Sequence, residues 1–120
     1  MLETINTLYQ EPDWIHLYTD GSLVNDIDIA GVGAHSSLFS FYFQIGKGRT
    51  AFDGEVAVIR LALTQLYCHL KNFKRNVIFC DSKVAILAVN SNTTSVSPDI
   101  LECKNLLRDL YAHSKQVVLQ

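Results

Sequence analysis

Five consecutive residues, Asn76 to Cys80 (NVIFC), constrain the fold of this chain more than any other stretch. A nearly unbroken apolar run of that length reads as a strand buried on both faces. It needs strands beside it and layers over it. Upstream, Trp14 to Thr19 is β-rich, and alternation sets Ile15, Leu17 and Thr19 on one face, with His16, Tyr18 and Asp20 on the other. A polar turn through Asn25-Asp26 precedes Ala30 to Ser36. Leu38 to Ile45 (LFSFYFQI) then carries three of the six phenylalanines and reads as a third strand. Short connections between these three runs predict an antiparallel meander.

At Gly46-Lys47-Gly48-Arg49 the period changes from two to helical. Thr50 followed by Asp53 fits a capping box with Asp in place of Glu or Gln. Val56, Ile59, Leu63, Leu66 and Leu70 recur at steps of three and four, which predicts an amphipathic helix of about five turns. After NVIFC a second helix opens at Asp81-Ser82 and runs to about Val89. The polar loop NSNTTSVS separates it from a third, with Ser97 as cap and Pro98 in the first position. Ile100, Cys103, Leu106 or Leu107, and Leu110 form the stripe of that helix, and KQVVLQ (115–120) closes the chain as a strand. The order βββα, β, αα, β predicts an α/β domain with a mixed sheet. A length of 120 residues suits one domain, 14–120, preceded by a lead-in segment 1–13 that lacks a clear period and ends near Pro12.

A net charge of −2 supplies no global positive field, so any contact with nucleic acid must rest on local patches or metal ions. Cys68, Cys80 and Cys103 are an odd set without metal-type spacing, each inside an apolar run. They read as buried reduced thiols in an intracellular setting, cytoplasm or nucleus undistinguished. No signal peptide and no membrane-spanning run is expected, nor an obligate oligomer.

Three acids stand at the ends of elements: Asp20 after the first strand, Asp81 after the fourth, and Glu55 in the first turns of the long helix. Each has an ordinary explanation. Asp20 could shape an Asp-Gly turn, Asp81 could cap a helix, and Glu55 could complement a helix dipole. Their joint placement asks for more. If the first and fourth strands are parallel neighbours, the C-terminal ends bearing Asp20 and Asp81 lie together, where open α/β sheets place their ligands. Glu55 shares a helical row with Ile59, Ala62 and Leu66, the face that meets the sheet. Three converging carboxylates repel one another unless a hard cation such as Mg²⁺ joins them. Two such ions about 3.5–4 Å apart activate water and stabilise the leaving oxygen of a phosphodiester. An Asp-nucleophile phosphoryl-transfer enzyme fits poorly: no Asp follows Asp20 at two residues, and no phosphate-gripping lysine motif appears.

YTDGS (18–22), GEVAVIRLAL (54–63) and FCDSKVAILAV (79–89) resemble the first three active-site motifs of type 1 ribonuclease H domains, in the version found in retrotransposon polyproteins. The resemblance covers roughly residues 14–120. It implies a ribonuclease H-like fold, a five-stranded mixed sheet of order 3-2-1-4-5. It also implies cleavage of the RNA strand of RNA–DNA hybrids with two Mg²⁺ or Mn²⁺ ions, held by Asp20, Glu55 and Asp81, with Asp20 bridging both. By the same resemblance, the backbone at Gly21 and the side chains of Ser22, Thr50 and Ser82 would meet RNA 2′-hydroxyls, although Ser82 serves equally as a helix cap. Lys47 and Arg49 would meet phosphates, with a solvated turn the other reading. Neighbouring domains of a retroelement polyprotein are implied partners.

Family members continue past the fifth strand into a Trp-x-Pro-x-His loop and a helix with a catalytic His and a fourth carboxylate. This sequence ends at VVLQ, ahead of that block. His16, His35, His69 and His113 do not match the missing histidine. The expectation is therefore a domain lacking the final helix, with the outer sheet face left bare. It would be either a fragment of a longer enzyme or a non-catalytic remnant that binds nucleic acid or protein.

Overall fold

The computed structural model describes residues 13–23, 30–45, 51–91 and 97–120, with the side chains at 20–23, 30, 45 and 51 outside the description. The lead-in segment up to Pro12, the Asn25-Asp26 turn, Lys47, Arg49, Thr50 and most of the loop after the second helix fall outside it. The described elements are β1 (Ile15–Leu23), β2 (Ala30–His35), β3 (Ser40–Ile45), α1 (Ala51–Cys68), a 3₁₀ turn (Leu70–Asn72), β4 (Arg75–Phe79), α2 (Lys83–Asn90), α3 (Pro98–Ala112) and β5 (Gln116–Leu119). The strands form one sheet of order β3-β2-β1-β4-β5. β1 pairs antiparallel with β2 and parallel with β4, and β4 pairs parallel with β5. This is the mixed sheet expected from the sequence.

β4 is the interior strand that NVIFC predicts, flanked by β1 and β5 and buried from Asn76 onward. On the α1 side, Leu17, Val32, Ala34, Ile78, Val117 and Leu119 join Val56, Ile59, Ala62, Leu63 and Leu66 in one core. Full burial of each Leu or Ile contributes roughly 1.5–3 kcal/mol. α3 adds Ile100, Cys103 and Leu110, and the Arg60 guanidinium of α1 lies 3.1 Å from Asp99 of α3.

Several boundaries differ from the sequence reading, each for a local reason. β3 begins at Ser40 instead of Leu38. The Ser36 hydroxyl accepts from the Leu38 and Phe39 amides at 3.1 and 3.3 Å, and those residues form the hairpin turn. α1 stops at Cys68, where the His69 amide bonds the Leu66 carbonyl at 3.0 Å and the chain tightens into the 3₁₀ turn. At the end of α3 the Lys115 amide reaches the Leu110 carbonyl at 3.0 Å and the Ser114 amide the Tyr111 carbonyl at 2.9 Å. That is a Schellman closure with Ser114, at φ 61°, where glycine is usual. Cys68 is exposed at the end of α1, contrary to the expectation that all three thiols are buried; Cys80 and Cys103 are buried.

The sheet face away from the helices is not bare at its centre. Val77 and Phe79 are 0% and 5% exposed, with Trp14, Tyr18 and Val118 packed against them. Tyr18 stacks on Phe79 with centroids 5.2 Å apart and on His35 at 5.4 Å, while His16 meets Phe79 edge-on at 5.5 Å. No helix among the described residues is long and apolar enough to cross a membrane.

Candidate active site

β1 changes partners in mid-strand. From Ile15 to Tyr18 it is paired with β4, ending at Tyr18 opposite Phe79. From Tyr18 to Leu23 it is paired with β2, with Asp20 opposite Gly33. Asp20 therefore does not end the strand, as the sequence suggested, and no Asp-Gly turn forms there. Pairing with β2 carries Asp20, Gly21 and Ser22 in extended backbone despite their weak strand propensity. On the other side β1 and β4 part company, with the Thr19 hydroxyl donating to the Phe79 carbonyl at 3.3 Å across the fork. The β1–β4 register ends at Tyr18 opposite Phe79, two residues before Asp20 on one strand and two before Asp81 on the other.

The cap of α2 settles one ordinary explanation. Ser82, not Asp81, is the N-cap: its hydroxyl accepts from the Ala85 amide at 3.2 Å. Asp81 stands one residue outside the helix, exposed, with no hydrogen bond or ion pair to another described residue.

Glu55 projects from the second turn of α1 toward the same place. It is half-buried, and its Oε2 accepts from the Cys80 thiol at 3.2 Å. Burial, with Glu55 adding to it, pushes the Cys80 thiol up to about 11, so it stays protonated and can donate. Glu55 and Asp81 share a cavity of about 330 Å³ with Phe52, Ser82 and Val84. Among the described residues no cation neutralises either acid; Arg60 is engaged with Asp99.

The structure thus brings Glu55, Asp81 and Ser82 to one cavity beside the fork that carries the Asp20 backbone. The side chains of Asp20 and Ser22, like Lys47, Arg49 and Thr50, lie outside the described residues. Among those described, no group of three His, Cys, Asp or Glu side chains is arranged to hold a metal ion. The available donors are hard carboxylate oxygens, one exposed and one polarised by a neutral partner, and such a set suits Mg²⁺ or Mn²⁺. Sequence reasoning gives Phe52 and Val84 no role at the site and reads Cys80 only as a buried thiol. The signal for Cys80 was there: alternation in β4 puts it on the face of Ile78, the face that α1 and Glu55 cover.

Solved structures share this architecture. RNase H1 from the halophilic archaeon Halobacterium salinarum NRC-1 superposes with a TM-score of 0.64 at 18% identity, covering 89% of this chain and 83% of that one. LC11-RNase H1, isolated from compost by a metagenomic approach, gives 0.68 at 17% identity, with 90% and 83% covered. The N-terminal RNase H domain of rv2228c from Mycobacterium tuberculosis, solved as a fusion with maltose-binding protein, gives 0.64 at 17%, with 89% and 80% covered. The sequence matches no family model and no curated protein. At these identities the likeness establishes the fold, and the fold is that of ribonuclease H.

Proposed function

We propose that this chain is a hybrid-specific endoribonuclease, hydrolysing the RNA strand of an RNA–DNA duplex with Asp20, Glu55 and Asp81 as metal-holding carboxylates. The observation that supports it is the fork between β1 and β4. The β1–β4 register stops two residues short of both Asp20 and Asp81, and Glu55 leans in from α1 with no cation among the described residues to meet it. Bound at these carboxylates, Mg²⁺ or Mn²⁺ would supply an activated water and charge stabilisation for the leaving oxygen. The residues do the rest. Asp81, outside the helix cap and open to solvent, presents its oxygens without first breaking a protein contact. Glu55 stands at the cavity wall, and Phe52 and Val84 form its apolar side. Ser82 accepts the Ala85 amide with its oxygen, which leaves its proton to donate to a ribose 2′-hydroxyl. The Gly21 backbone, Ser22 and Thr50 would extend that contact along the RNA strand, with Lys47 and Arg49 at the phosphates. The natural hybrid would be a product of reverse transcription, and the neighbours in that setting would be other domains of a retroelement polyprotein.

The test is incubation with a labelled RNA–DNA hybrid in Mg²⁺ or Mn²⁺, beside an Asp20→Asn control. Cleavage confined to the RNA strand and lost in the control supports the enzyme. Equal background in both overturns it and leaves a fold that binds without turning over.

A further inference from the structure

The Cys80 thiol has no part in the chemistry set out above, yet among the described contacts of Glu55 it alone makes a hydrogen bond to the carboxylate. Resting on the metal-holding reading of Glu55, we infer that Cys80 is a positioning residue for that carboxylate. It would fix one oxygen so that the other faces the cavity.

Three features carry the inference. Cys80 is itself held: its amide donates to the Gln120 carbonyl at 3.1 Å, which extends the β4–β5 ladder one residue past the strand, and its side chain is 7% exposed. A donor on fixed backbone can define an acceptor's rotamer in a way that water cannot. Glu55, by contrast, has three rotatable side-chain torsions and stands only half-buried at the cavity wall, so without a partner its carboxylate would sample several orientations. Thirdly, the thiol is a neutral donor. A lysine or arginine at position 80 would orient Glu55 as well but would compete electrostatically with a divalent cation, whereas a thiol leaves the negative charge available. The bond joins α1 to the end of β4, and so ties Glu55 to the element that delivers Asp81.

The role predicts that metal affinity depends on a hydrogen-bond donor at position 80, and not on side-chain size alone. Mn²⁺ binding to the full chain without nucleic acid, followed by electron paramagnetic resonance, tests this in the wild type, Cys80→Ala, Cys80→Ser and Glu55→Gln. The expected result is binding weakened by roughly 3- to 10-fold in Cys80→Ala, the range a single hydrogen bond commands, and largely restored in Cys80→Ser. Glu55→Gln should weaken it further. Should Cys80→Ala fail to fold, Cys80→Val fills the space without supplying the donor. Equal affinity of the wild type and the donor-less variants overturns the positioning role while leaving the metal reading intact, provided that Glu55→Gln still loses affinity. Equal losses in Cys80→Ser and Cys80→Ala overturn it in favour of packing. Wild-type affinity in Glu55→Gln overturns both readings together.

Discussion

Toward α1 and α3 the sheet presents Leu17, Val32, Ile78 and Val117, and on the opposite face Tyr18, His35, Tyr42 and Phe79. The first set is aliphatic and meets helices whose side chains fill the remaining space. The second is built of rings that stack or meet edge-on, with two strand glycines, Gly31 and Gly33, beneath Tyr42. The two faces therefore fail differently. An aliphatic interior is sensitive to lost volume, because a cavity forfeits contacts on every side. A face of rings laid close to bare backbone is sensitive to added atoms. Glycine at 31 and 33 serves close approach, since Tyr42 occupies the space where a side chain would stand.

The largest expected effect lies on the helix side. Leu63 is fully buried in the centre of α1, and Leu63→Ala should cost about 2–5 kcal/mol in urea denaturation. A loss below 1 kcal/mol would mean that the helix-side interior is looser than its burial suggests. The ring side should answer to the opposite change. At Gly33 an added Cβ would stand 2.7 Å from the Phe41 carbonyl oxygen, which is backbone, and Gly33→Ala should destabilise by about 1–3 kcal/mol. At Gly31 the obstruction is the Tyr42 hydroxyl, the tip of a side chain 64% exposed that can swing aside. Gly31→Ala should therefore be milder than Gly33→Ala in the same denaturation series. The reverse ranking would break the account of Tyr42 as a movable cover.

The smallest effect is one of pH. Burial, reinforced by the charge of Asp99, pushes the Cys103 thiol from 9.0 up to about 12. A group raised in the folded state stabilises fully below its unfolded value, and the contribution is lost as pH rises toward the folded one. Stability should fall as pH rises from about 9 toward 12, by on the order of 1 kcal/mol near pH 10 from this thiol. Cys103→Ala should be less stable at neutral pH and show a shallower alkaline decline; parallel wild-type and variant curves would show that this part of the interior admits water.

Much of this architecture can be read from residue order alone, because alternation and the three-four spacing report burial directly. NVIFC, the row from Val56 to Leu66, and Ser97-Pro98 all occupy the elements their patterns predict. Long-range pairing is less legible. Asp-Gly-Ser looks like the end of a strand, yet the ladder with β2 holds it extended, a tertiary effect that overrides local propensity. Side-chain roles that depend on geometry were also beyond pattern. The Ser82 cap is defined only by its bond from the Ala85 amide, and alternation gives the face of Cys80 but not its bond to Glu55. Nor does sequence explain Asn76, which is 0% exposed with neither amide oxygen nor nitrogen bonded to protein. Among the described residues nothing pairs with its side-chain amide at this second position of β4, between Arg75 and Val77, and its burial has no structural explanation.

The change of partners at Tyr18 has a consequence for how such a protein can vary. Since one strand is clasped from opposite sides along its two halves, the gap that opens above Phe79 is sculpted by main-chain hydrogen bonding and sheet twist. The lower half, gripped on the β4 side, is free to drift in composition so long as its volume is kept. Pairing with β4 and pairing with β2 are thus assigned to separate stretches of a single nine-residue ribbon.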